Sequence, residues 1–136
     1  MTNENETLGC ELNPNDETER RRNILVVDDN SAVAKMIVIT LRRLGHACVA
    51  IAAGGKEALE IAARIRPDLV IMDIDMPEMD GIETARRLSA LNPCAIIFST
   101  GLCDQKTLHR TREMRSVSYL VKPFSPAQLQ AAVHHS

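Results

Sequence analysis

Leu69-Val70-Ile71-Met72-Asp73 carries four apolar residues straight into a carboxylate, and Ile74-Asp75-Met76-Pro77-Glu78-Met79-Asp80-Gly81 follows at once. A short unbroken apolar run of this kind fits a strand buried on both faces. Asp73 is then delivered to the strand tip. A second run, Ile24-Leu25-Val26-Val27, also ends in acid, Asp28-Asp29. Two buried strands that each finish in carboxylate are hard to explain by packing alone. If they are neighbours, three acids converge. Their repulsion raises their pKa values or demands a cation, and oxygen-only ligands favour a hard ion such as Mg²⁺.

Elements of alternating type surround these two runs. After Ile24–Val27, Asn30 or Ser31 can cap a helix with Val33, Ile37, Leu41 and Leu44 at helical spacing, stopped by Gly45. Ala47–Ala52 is a weaker second strand. Gly54-Gly55 leads into a helix with Ala58, Leu59, Ala62 and Ile65 on one face, ended by Pro67. The third helix runs from Gly81 to Leu91 with Ile82, Ala85, Leu88 and Leu91 inward, and stops at Asn92-Pro93. Ala95–Phe98 is the fourth strand and Val117–Val121 the fifth. Between them Cys103 to Met114 predicts a loose, mostly polar helix with a thin stripe of Leu108, Thr111 and Met114. Ser125-Pro126 is an N-cap and N1 pair for a last helix through Leu129 and Val133.

Strands alternating with helices of this length imply an α/β fold: a (βα)₅ doubly wound parallel sheet of five strands, with helices on both faces. In such sheets the functional crevice lies beyond the carboxyl ends of the strands, where the strand order reverses. For the order 2-1-3-4-5 that point falls between strands one and three, the two that end in Asp28-Asp29 and Asp73.

Composition narrows the function. With 136 residues, 45% of them apolar, the chain has room for one domain with a real core. Residues 1–22 hold six acids and three arginines with no hydrophobic period, and they read as a disordered acidic tail ahead of a domain over residues 23–136. The remainder carries 12 acids against 13 bases, so it offers no field to hold nucleic acid. Cys10, Cys48, Cys94 and Cys103 show no metal or redox spacing, and Cys48 and Cys94 lie in apolar runs as free thiols. No apolar stretch approaches the roughly 18 residues of a membrane span, and the N-terminus lacks a signal pattern. A cytoplasmic protein without membrane insertion, monomeric or weakly dimeric, is expected.

Two further strand ends add polar groups: Phe98-Ser99-Thr100-Gly101 supplies a hydroxyl after strand four, and Tyr119-Leu120-Val121-Lys122-Pro123-Phe124 an ammonium after strand five. With these in order behind the acid pair and the Asp-x-x-Met-Pro-x-Met-Asp-Gly run, the chain resembles the receiver domain of bacterial two-component response regulators from about Asn23 to His135. The resemblance implies a flavodoxin-like, CheY-like fold. It implies that Asp73 is the phosphoacceptor, served by a histidine kinase or histidine phosphotransfer protein. It further implies that Asp29 and Asp73 bind Mg²⁺ with the backbone carbonyl of Asp75, while Asp28 acts through bound water. Lys122 and Thr100 would hold phosphoryl oxygens. Thr100 and Tyr119 would form the switch that reshapes the helix 4, strand 5 and helix 5 surface for an unknown downstream protein. The Lys122–Pro123 bond is expected to be cis.

Two features depart from the family pattern. Met114-Arg115-Ser116-Val117-Ser118 must turn into strand five without a glycine, and the fourth helix is basic through Lys106, Arg110, Arg112 and Arg115. Blander readings stand beside the sharp ones. Asp80 reads as a turn or capping residue, Asp28-Asp29 alone would cap a helix, Tyr119 alone would be a half-buried strand residue, and the helix-four bases could be a solvated face. His46, His109, His134 and His135 have no metal-ligand spacing. Two rival functions stay open: a receiver-like binding module that never uses phosphate, and a phosphatase of the haloacid-dehalogenase type, suggested by Asp73-Ile74-Asp75. An EF-hand fails because Gly81 falls too late for that loop.

Overall fold

The fold is built on five parallel strands, β1 (Ile24–Val27), β2 (Val49–Ala52), β3 (Leu69–Asp73), β4 (Ala95–Thr100) and β5 (Val117–Val121), in the order β2-β1-β3-β4-β5. It is a computed structural model that describes residues 22–46, 49–101, 105–114 and 116–136. Five helices alternate with the strands: α1 (Ser31–Arg43), α2 (Gly55–Ile65), α3 (Gly81–Leu91), α4 (Gln105–Arg110) and α5 (Pro126–His134). The doubly wound topology expected from the alternation is therefore the one observed.

Each face of the sheet has its own core. Val26, Ile71, Ile97 and Leu120 pack with Ile37 and Leu41 of α1 and with Leu129 and Val133 of α5. Leu25, Val70, Ile96 and Phe98 pack on the other side with Ala58 and Ile61 of α2 and with Ile82, Ala85 and Leu88 of α3. β1 and β3 are buried along their whole length, which is why they carry unbroken apolar runs.

Helix ends follow their local chemistry. The Asn30 side chain accepts from the amides of Ala32 and Val33, and Gly45 takes the left-handed conformation (φ 101°) just past α1. Asp80 caps α3 by accepting from Glu83 N. Ser125 and Gln128 form a complete capping box on α5. The turn into β5 is made with Ser116 at φ 56°. Lys122–Pro123 is cis, as expected.

Several boundaries differ from expectation. β3 and β4 continue to Asp73 and Thr100, so both polar residues sit on the strand and not after it. Among the described residues the fourth helix spans only Gln105–Arg110, and Cys103 lies outside them. It stops because Thr111 bonds back to Thr107 O and Leu108 O, and the next amides close tighter turns, Arg112 N to His109 O and Met114 N to Thr111 O. Leu108 is exposed whereas Thr111 is buried, and Leu91 is 67% exposed instead of facing the core. Leu44 is the C-cap of α1 and not an inward helix position.

Of the acidic tail expected over residues 1–22, residues 1–21 lie outside the described residues. Arg22 belongs with the fold: its guanidinium donates to Val133 O, Ser136 Oγ and Ser136 O at the end of α5. Cys10 and Cys48 also lie outside the described residues. Cys94 is a half-buried free thiol whose pKa burial, helped by Asp68, pushes up to about 11.

Candidate functional site

The carboxyl ends of β1 and β3 lie side by side, and their register, Val27 opposite Met72, puts Asp28 next to Asp73. Carboxylate oxygens of Asp28, Asp29 and Asp73 all come within 4.8 Å of one another. Asp28 and Asp73 are buried and Asp29 is exposed. Lys122, at the end of β5, reaches over this cluster with Nζ 3.4 Å from Asp28 Oδ2 and 3.3 Å from Asp73 Oδ1. Acids and lysine foreseen from three separate stretches thus meet in one place.

Local backbone holds the acids. Asp28 Oδ1 accepts from Asn30 N at 2.8 Å, so the same loop that caps α1 also fixes the first carboxylate. Beyond β3 the chain turns sharply, with Ile74 N on Ser99 O and both Met76 N and Gly81 N on Ile74 O. Gly81 is required there. A Cβ on it would lie 2.2 Å from the carbonyl oxygen of Asp73 and 2.8 Å from Ile74 Cα, so only glycine lets the start of α3 close against the strand tip.

The electrostatics show an under-neutralised site. Burial and the neighbouring Asp28 raise the pKa of Asp73 to about 6, although Lys122 and the backbone N–H of Asp75 pull the other way. Burial lowers the pKa of Lys122, but Asp73 and Asp28 more than offset it and leave it above its usual value. Three carboxylates against one ammonium leave surplus negative charge and an all-oxygen donor set. That chemistry fits a hard divalent cation such as Mg²⁺.

The hydroxyl and the tyrosine divide from the acids by face. Alternation along each strand places Thr100 with Phe98, and Tyr119 with Val117, on the α2–α3 side of the sheet. Thr100 is buried at the tip of β4, where its carbonyl accepts from Lys122 N at 2.8 Å. Tyr119 stacks on Phe98 with ring centroids 6.1 Å apart, and its hydroxyl bonds Thr111 Oγ1 just past α4. Asp75 has an exposed side chain. Asp80 is the capping residue expected, and it also pairs with Arg110.

Sequence reading missed the Asn30 amide contact, the Asp80–Arg110 pair and the position of Ser99. Two-residue counting along β4 from Ile97 would have found the last. A cavity of about 700 Å³ lined by Arg86, Cys94, Glu113 and Met114 lies at the opposite end of β4, away from the acids.

With fold and site in place, the chain belongs to the response regulator receiver domain family, whose model matches residues 24–134. It is 35% identical over 112 residues to the transcriptional regulatory protein PdtaR of Mycobacterium tuberculosis, covering 82% of this chain and 55% of that protein. It is 37% identical over 113 residues to the DNA-binding response regulator MtrA of Mycolicibacterium paratuberculosis, covering 83% and 50%. The chain therefore spans about half the length of these curated relatives. Among solved structures, the chemotaxis protein CheY4 of Vibrio cholerae superposes with a TM-score of 0.80 at 28% identity, covering 85% of this chain and 98% of that one. No helix among the described residues is long and apolar enough to cross a membrane.

Proposed function

We propose that Asp73 accepts a phosphoryl group from the phosphohistidine of a histidine kinase or phosphotransfer protein. The observation that carries this reading is the meeting of Asp28, Asp29, Asp73 and Lys122 at the carboxyl end of a parallel sheet. A carboxylate oxygen of Asp73 attacks phosphorus, the new O–P bond forms as the donor's P–N bond breaks, and the imidazole leaves with the electron pair and takes a proton. Lys122, now 3.3 Å from Asp73, moves to a phosphoryl oxygen as a point charge. The Thr100 hydroxyl donates to another. A Mg²⁺ ion held by Asp29, Asp73 and the Asp75 carbonyl, with Asp28 acting through water, would neutralise the charge that otherwise repels an incoming dianion.

Phosphorylation then shifts the balance between two arrangements of Thr100, Tyr119 and α4. A few kcal/mol of differential contact suffices to invert such a population. Tyr119 is tied to the end of α4 through Thr111, and α4 is a six-residue helix with no buried residue, which suits an element that moves. The output is an altered surface of α4, β5 and α5 offered to another protein in the cytoplasm. The chain itself contacts no nucleic acid in this reading, and it is phosphorylated once per molecule, without multiple turnover.

Intact mass after incubation with Mg²⁺ and acetyl phosphate tests the proposal. Wild-type protein should gain one phosphoryl group and Asp73→Asn none. A wild-type chain that stays unmodified while a known receiver is labelled would overturn it.

A further inference from the structure

β2 is an edge strand, paired with β1 along one side only. The helices α1 and α2 flank it on opposite faces of the sheet, so a groove of about 260 Å³ that touches both of them runs along its outer edge. Val38 and Arg42 of α1, Ile51 of β2, and Ile61, Arg64 and Ile65 of α2 line this groove. Ile51 is 40% exposed there. An apolar strand edge is a template for pairing with another chain unless something covers it.

The rim of the groove is cationic. Arg42 and Arg64 line it, and Arg43 and Arg66 stand at the ends of the same two helices. All four are exposed, and none has an ion-pair partner among the described residues. No acid lies on α1 or β2, and α2 contributes Glu60 and Glu57, whose carboxylate accepts from Ala53 N. A second copy meeting this edge with its own would bring like arginines together, which is repulsive. The occupant that fits is an acidic segment with a few apolar side chains.

This chain carries such a segment next to the groove. Residues 1–21 hold six acids against two arginines, with Leu8 and Leu12 among them. The segment joins the fold at the groove's own rim, where Asn23 Nδ2 donates to Ile65 O at 2.9 Å and Asn23 N to Asp68 Oδ2 at 2.9 Å. Ten residues separate Leu12 from Asn23, and extended they reach up to about 35 Å. The outer edge of β2 is about two strand spacings, or about 10 Å, from β1.

We infer that the acidic segment 1–21 is the occupant of this groove, docking on the β2 edge of its own chain. Acids of the segment pair with Arg42 and Arg64, Leu8 or Leu12 covers Ile51 and Ile61, and the open edge is closed to other chains. The contact lies apart from the acid cluster and does not depend on phosphorylation of Asp73.

Cys10 gives the test its probe. In the full chain with Cys48→Ala, Cys94→Ala and Cys103→Ser, a nitroxide on Cys10 should make the amide signals of Val49–Ala52 lose intensity in NMR spectra. The signals should recover in the Arg42→Glu, Arg64→Glu variant, and also at about 1 M salt, where the screening length falls to about 3 Å. In the wild-type chain without label, methyl contacts between Leu8 or Leu12 and Ile51 or Ile61 should appear in nuclear Overhauser spectra. Loss centred on Lys106 and Arg112, loss spread evenly over the surface, or loss at β2 that survives charge reversal would overturn the inference. Absence of the methyl contacts would overturn it as well. A mixture of isotope-labelled chain without nitroxide and nitroxide chain without isotope should show no loss; loss there would assign the groove to the segment of a second copy and overturn docking within one chain.

Discussion

Arg110, the last residue of α4, places its Nη2 2.9 Å from Oδ2 of Asp80, the residue that caps α3. Its carbonyl oxygen also accepts from Arg86 Nη2 at 2.6 Å, so α3 holds Arg110 by backbone and side chain alike. The paired side chains are 39% and 33% exposed, which limits the ion pair to about 1 kcal/mol or less. Arg110→Ala should therefore cost under about 1 kcal/mol. Asp80→Ala, which also removes the cap, should cost about 2 kcal/mol. In urea denaturation the double variant should match Asp80→Ala alone, and a clearly additive double variant would show that Arg110 acts through something other than Asp80.

The raised pKa of Asp73 has a definite sign in stability. Its ordinary value is 3.8 and its folded value about 6. Below the lower value the carboxyl is neutral in both states and imposes no penalty. As pH climbs through the higher one, the fold must ionise a buried acid and stability is lost. In chelator, wild type should thus lose more stability than Asp73→Asn across that window. Mg²⁺ should restore it above about pH 6 in wild type and restore less in the variant. Parallel pH profiles for the two proteins would count against the raised pKa.

Lys122 compensates two buried acids, and its removal separates two effects. Lys122→Met leaves Asp28 and Asp73 facing each other, so the metal-free protein should lose about 1–3 kcal/mol. The same variant should bind Mg²⁺ more tightly, because a like charge 3.3 Å from a ligand oxygen has gone. Calorimetric titration checks the second effect, and weaker Mg²⁺ binding would mean that the lysine orients the acids rather than merely opposing the ion.

Gly81 and Gly55 make a graded pair. An added Cβ at position 81 meets backbone at 2.2 Å, whereas at position 55 it first meets the Thr84 hydroxyl at 2.4 Å. Gly81→Ala should cost about 1–3 kcal/mol or more and disturb Asp73, because the strand tip itself must move. Gly55→Ala should cost less, since a side chain can turn away. Thermal unfolding of both variants decides the order.

Much of the site could be read from residue order because its acids and lysine each close an apolar run. Asp73, Asp28-Asp29 and Lys122 announced themselves in that way, and the topology then required them to converge. What escaped notice depended on distance through space. Periodicity placed Leu91 on the inner side of α3, but periodicity reports direction around a helix and not how far the core extends beneath its last turn. The end of α4 is set by the hydroxyl of Thr111, which also meets Tyr119, a contact invisible in a polar segment. Asp80 and Arg110 lie far apart in the chain and carry no shared pattern. Ser99 carries no signal of its own in the residue order, since only its register partner Asp73 on the next strand sets it apart from any other buried serine.

Arg22 grips Val133 and Ser136, so the two ends of the folded unit lie within one side chain's reach. A short glycine-serine bridge from 136 to 22 should join them without strain, and new ends could be opened in the bend at Ala53-Gly54, where an added Cβ on Gly54 meets nothing within 4 Å. Such a circular permutant would carry its ends beside the edge strand β2 while keeping every acid of the site on an uncut segment. It offers a scaffold for grafting a reporter without touching the surface through which the domain is proposed to signal.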